Sequence, residues 1–164
     1  MNEGLLLARL VFGLIMAAHG SQKLLGWFGG YGLNGTAGFL ESIGFRPGRF
    51  FAAAASLGEI VSGLLVAAGF LGPVGPALML AVMIVAAGSV HWSHGLFAQN
   101  NGIEVPLLYG AGAIALGLTG FGRLSVDALL GLTSTPLIAS VVLVVGAVGG
   151  FANLALRRRA AVTA

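Results

Sequence analysis

Five apolar runs divide the chain, near residues 4–25, 50–71, 73–91, 105–121 and 136–156. Each comes close to the roughly 20 residues that a helix needs to cross the hydrocarbon core of a bilayer. The first contains Arg9, His19 and Lys23 and the second contains Glu59, whereas the other three lack Asp, Glu, Lys and Arg. Arg9 interrupts the apolar part of the first run and no separate basic segment precedes it, so it reads as a retained helix rather than a cleaved signal. The second and third runs are separated only by Leu71-Gly72-Pro73, which makes them an antiparallel hairpin. Pro73 and Pro76 suit the first turn of the third helix, and Pro106 that of the fourth, where a missing N–H costs little.

Between the first two runs lies a Gly-rich stretch from Gly26 to Thr36 that carries Trp27, Phe28 and Tyr31. These amphipathic rings suit the headgroup layer. A short helix over 36–43, capped by Thr36, fits at or near the membrane surface. After the fourth run, Ser125 can cap a short helix through Leu130 with Asp127 in its first turn. Small residues recur at helix spacing in Gly13 with Ala17, Gly58 with Ser62, Ala113 with Gly117 and Gly146 with Gly150, as helices that pack closely in lipid require.

Composition strengthens the membrane reading. The chain is 57% hydrophobic and 8% charged, against about 25% charged for an ordinary soluble domain, and its mean hydropathy is +0.99. The high pI of about 10.2 resembles a nucleic-acid signal, but three of the eight basic residues are the tail Arg157, Arg158 and Arg159. A basic cluster beside an apolar run reads as a membrane-side anchor, and no nucleic-acid partner is expected. With no cysteine, disulfides, thiolate metal ligands and thiol redox relays are excluded within the chain.

Ionisable groups inside a bilayer are costly and point to function. Counting along the runs places His19, Lys23, Glu59, His91 and Glu104 toward one end of the bundle, with His94 just beyond and Arg9, Arg123 and Asp127 at the other. His91 and His94 are three apart, a spacing compatible with a metal but common by chance, so no metal site is assigned.

Four segments in order resemble the DoxX family of small bacterial membrane proteins. They are His19-Gly20-Ser-Gln-Lys23; Thr36-Ala-Gly-Phe-Leu-Glu41 with Gly44; Glu59 with Ser62-Gly63-Leu-Leu and Gly69; and Gly120-Phe-Gly122-Arg-Leu-Ser125-Val-Asp127. The likeness spans roughly 5–131 and departs from the family pattern at Phe121 and Val126. It implies an all-α fold: a compact four-helix transmembrane bundle over 1–131, to which 132–164 add a fifth helix and a basic tail. It also implies a multi-pass protein of the bacterial inner membrane, related to the membrane subunits of thiosulfate:quinone oxidoreductase.

The leading functional expectation is therefore a membrane component of an oxidoreductase system that engages a quinone, with no covalent cofactor. His19, Lys23 and Glu59 would handle protons, and Trp27, His91 and Glu104 would complete the binding site. Electrons would come through a soluble or membrane redox partner. Two other classes fit the same chain: a non-catalytic anchor or assembly subunit for a partner protein, and a small-solute or proton transporter.

Lys23, Arg46, Arg49 and the three tail arginines fall on one side of five crossing helices, and Arg9 and Arg123 on the other. The positive-inside rule then places the C-terminus in the cytoplasm. A C-terminal reporter that is active only in the cytoplasm should give signal in cells, and one that is active only after export should be silent.

Overall fold

The computed structural model describes residues 2–157; Arg158 and Arg159 of the basic tail lie outside them. It contains α1 (Asn2–Leu25), α2 (Gly32–Ser42), α3 (Gly48–Ala68), α4 (Val74–Ala86), α5 (Glu104–Thr119), α6 (Val126–Leu130) and α7 (Pro136–Ala155). No strand occurs among the described residues. Helix α4 continues through a π turn at Ala87–His91, so the third apolar run is one span from Val74 to His94.

Four helices are long and apolar enough to cross a membrane: α1, α3, α4 with its continuation, and α7. The fourth apolar run falls short of the expected length. Its helix α5 has 16 residues, roughly 24 Å at 1.5 Å per residue, because Gly120 leaves helical geometry at φ 74°. One face of it still packs into the bundle, along α4, with Ala113 fully buried and Tyr109 set edge-on against Phe12 of α1, while residues such as Leu107, Leu108 and Leu118 are exposed.

The most extensive interface joins α1 to α3, and small residues make it possible. A Cβ on Gly13 would lie 2.5 Å from the Gly63 carbonyl oxygen, and one on Gly63 would lie equally close to the Gly13 oxygen. One on Gly20 would sit 2.6 Å from the Ser56 carbonyl oxygen. The helices therefore meet backbone to backbone, which gains dispersion contact where lipid offers no hydrophobic driving force. Of the spacings read from sequence, Gly13 belongs to this seam, while Gly146 and Gly150 press α7 onto the carbonyls of Ala77 and Ala81 in α4. Gly58 faces α4 instead, with Val82 the nearest neighbour.

At one end of the bundle, α6 forms as expected, with Ser125 Oγ accepting the Ala128 N–H at 3.2 Å. Asp127 does more than sit in a first turn. Its carboxylate accepts the N–H groups of Leu71 at 2.9 Å and Gly72 at 2.7 Å, which ties α6 to the α3–α4 turn. Arg9 is 1% exposed. It donates to the carbonyls of Phe121 at 3.1 Å and Leu124 at 2.5 Å and stacks over the Phe121 ring. Phe121, a departure from the family-like pattern, thus provides a face for a buried guanidinium.

At the other end, α2 starts at Gly32, four residues before the expected Thr36 cap. Thr36 lies inside the helix and its hydroxyl donates to the Lys23 carbonyl at 3.1 Å, so it anchors α2 to the end of α1 instead of capping.

Gly63→Leu should cost at least about 3 kcal/mol, the upper range for overpacking, because both nearest atoms are backbone. Loss of the monodisperse peak and of cooperative thermal unfolding in detergent would register it.

Candidate functional site

Between α3 and α4 the bundle holds a half-open cavity of about 410 Å³. It is lined by α3 from Phe51 to Glu59 and by α4 and its continuation from Leu78 to His91, in the half of the bundle where α1 finishes. Most of its surface is apolar, from residues such as Phe39, Phe51, Ala54, Leu78, Val82 and Val85. Six side chains give it polarity: Lys23, Glu59, His91 and Asn153, with the hydroxyls of Thr36 and Ser89, which donate to the Lys23 and Val85 carbonyls.

Glu59 lies 11 residues into α3, roughly 16 Å along the helix. It is 1% exposed. Lys23 Nζ donates to its Oε1, and the other oxygen, Oε2, has no hydrogen-bond donor among the described residues. The α1–α3 seam sets this meeting, since Gly20 packs level with Ser56 and Ile60 and so holds Lys23 one turn from Glu59. Lysine's long stem covers the remaining reach while its side chain stays 39% exposed.

His91 reaches the cavity from the π turn. A wide turn of this kind shifts the register of a helix and is frequent at functional sites. Its Nδ1 lies 2.7 Å from the carbonyl oxygen of Asn101. A carbonyl only accepts, so Nδ1 carries the proton, and in the neutral ring Nε2 is left with a free lone pair.

A further wall comes from α7, through Gly149, Gly150 and Asn153. The Asn153 side-chain amide makes no hydrogen bond within the described residues. Just beyond the helix, Arg157 Nε donates to the Ile43 carbonyl at 2.6 Å and joins α7 to the end of α2. Leu154 packs into the space left by Gly88 in the π turn. An amide in an otherwise apolar run is the signal that marks Asn153 in the sequence, although a search for charges and histidines passes over it.

Of the side chains expected to converge, Lys23, Glu59 and His91 do so, whereas His19, Trp27 and Glu104 do not line the cavity. His19 shares an edge of α1 with Lys23, but its short side chain stays outside the seam and its Nδ1 pairs with Gln22 Oε1 at 3.2 Å. Trp27 follows the end of α1 and is 58% exposed, against Phe28. Glu104 turns back on its own loop, where Oε2 accepts the Ala98 N–H at 2.8 Å and braces the short turns before α5. His94 Nδ1 pairs with the Val90 carbonyl at 2.9 Å, away from His91. Among the described residues no three His, Asp or Glu side chains come together at metal-binding range.

These features define a multi-pass helical membrane protein with a mostly apolar cavity beside a half-buried ion pair. The DoxX family model matches residues 4–92, more than half of the chain, and the protein belongs to the DoxX family. The matched segment runs from α1 through the π turn and contains Lys23, Glu59 and His91; α5, α6 and α7 follow it. No curated protein and no solved structure matches the chain.

Lys23→Met leaves the Glu59 carboxylate buried without its cation. Loss of one partner of a buried pair costs about 3–5 kcal/mol; Lys23's partial exposure lowers the expected loss to about 2–3 kcal/mol. The double variant Lys23→Met/Glu59→Leu should recover most of it, as read by thermal unfolding in detergent.

Proposed function

We propose that this DoxX-family protein is a membrane component of an oxidoreductase system in the bacterial inner membrane and binds a lipid-soluble quinone in the α3–α4 cavity. The observation that carries the reading is the cavity itself: about 410 Å³, mostly apolar, with a buried carboxylate, an ammonium, an imidazole and an amide on its walls. Small-molecule sites are typically apolar spaces of roughly this size with a few placed polar groups. A quinone ring matches the apolar walls, and its two oxygens match the polar groups.

Lys23 would donate to a ligand oxygen, and Glu59 and His91 would exchange protons with it as the redox state changes. The chain has no cysteine, so electrons would travel between the quinone and a partner protein. A purely structural anchor has no use for a buried carboxylate oxygen without a donor, since such an atom weakens the fold. That favours ligand binding over the anchor reading.

Gly149 gives a clean test, because a Cβ there meets nothing within 4 Å although the residue lines the cavity. Gly149→Leu should therefore fill ligand space while the bundle stays folded. With the purified full chain in lipid nanodiscs, binding of 2,3-dimethyl-1,4-naphthoquinone should weaken at least about tenfold, as expected for about 1.4 kcal/mol lost to a methylene-scale clash. Unchanged binding in Gly149→Leu and in Glu59→Gln would remove the cavity as the quinone site.

A further inference from the structure

The hydrogen-bonding polarity of the cavity carries more information than its shape. Glu59 is paired with an ammonium through Oε1, and as a carboxylate it offers only acceptors. Its Oε2 is buried in the wall and has no hydrogen-bond partner among the described residues. On the opposite wall, the Asn101 carbonyl fixes the His91 proton on Nδ1 and leaves Nε2 as a second acceptor. Two side chains from different helices thus lack a donor, and both line the same space.

From this we infer that the cavity is matched to the reduced, dihydroxy form of its ligand, a hydroquinone, in preference to the oxidised dione. The inference rests on the quinone reading above and concerns which redox form binds. A hydroquinone brings an O–H at each end of its ring. One hydroxyl donates to Glu59 Oε2 while its own oxygen can accept from Lys23, which has further N–H groups beyond the one given to Oε1. The other hydroxyl donates to His91 Nε2.

A dione has only lone pairs at the same places. It can accept from Lys23 and from the Asn153 amide, but it leaves Oε2 without a donor and sets a carbonyl oxygen against it. Hydrogen bonds to a charged group are the stronger ones, and a buried acceptor left unpaired keeps its full desolvation cost. Both effects favour the diol.

The test uses the full chain in nanodiscs under anaerobic conditions, with calorimetric binding of three probes of nearly one shape. These are 2,3-dimethyl-1,4-naphthoquinone, its reduced diol, and the 1,4-dimethoxy ether of that diol, which has the diol's oxygens without its O–H donors. The diol should bind at least about tenfold more tightly than either of the others, the scale of one charge-assisted hydrogen bond. In Glu59→Gln, whose amide can donate, the preference for the diol over the dione should fall to about twofold or less.

Wild-type binding of the dione or the ether as tight as that of the diol overturns the inference and leaves the quinone reading standing. So does a diol preference that persists unchanged in Glu59→Gln and in His91→Phe. Failure of the wild type to bind any of the three probes overturns both.

Discussion

A carboxylate in the middle of a membrane helix must find its counter-charge inside the protein, because the lipid around it offers none. In this protein that requirement falls on Glu59, and Lys23 meets it. The pairing depends in turn on how closely α1 and α3 approach. Gly13, Gly20 and Gly63 bring the two backbones together and set the register that holds a lysine at the end of one helix within reach of a glutamate deep in the other. The bundle's largest interface and its polar centre are thus one construction: small residues along the seam, and a long cation beside it.

The two ends of the bundle use buried charge differently. Around Arg9 and Asp127 nearly every polar group has a partner: Arg9 holds two carbonyls of the segment after α5, and Asp127 caps the α3–α4 turn. Among the buried side-chain atoms of the described residues at this end, Arg9 Nε alone lacks a partner, and the guanidinium is otherwise enclosed by Phe121 and the Gly69 backbone. This end holds the turn that closes the α3–α4 hairpin. At the Lys23 end the polar groups border the cavity instead, and among the described residues the Glu59 Oε2 acceptor has no donor. Satisfied polar networks rigidify a fold, whereas an unsatisfied group beside a cavity is available to a ligand.

Helix α7 gives the cavity a wall that the family-matched segment lacks. Gly146 and Gly150 seat it on α4, Leu154 fills the space over Gly88, and Arg157 ties its end to Ile43. Its contribution to the site is therefore as much positional as chemical. Asn153 stands among the polar groups because three separate contacts hold α7 against α4, the π turn and the end of α2.

The sequence by itself determined the membrane class, the order and approximate limits of the helices, the α3–α4 hairpin and the Ser125-capped turn. Each of these follows from local rules: the length of an apolar run, the fixed φ of proline, the reach of a capping hydroxyl. It also identified Lys23, Glu59 and His91, since ionisable groups are rare enough in apolar runs to be conspicuous. Tertiary structure decided which of them meet. Position along a helix gives depth, but the face a side chain presents depends on the seam; His19 sits one turn from Lys23 and stays on the outer edge, paired with Gln22. The same holds for Glu104, which a loop contact takes up, and for Asn153, which only the docking of α7 brings to the cavity. Depth is a one-dimensional property that a sequence can carry. Rotation and register are set by close packing between helices, and here glycine contacts that no single helix contains decided both.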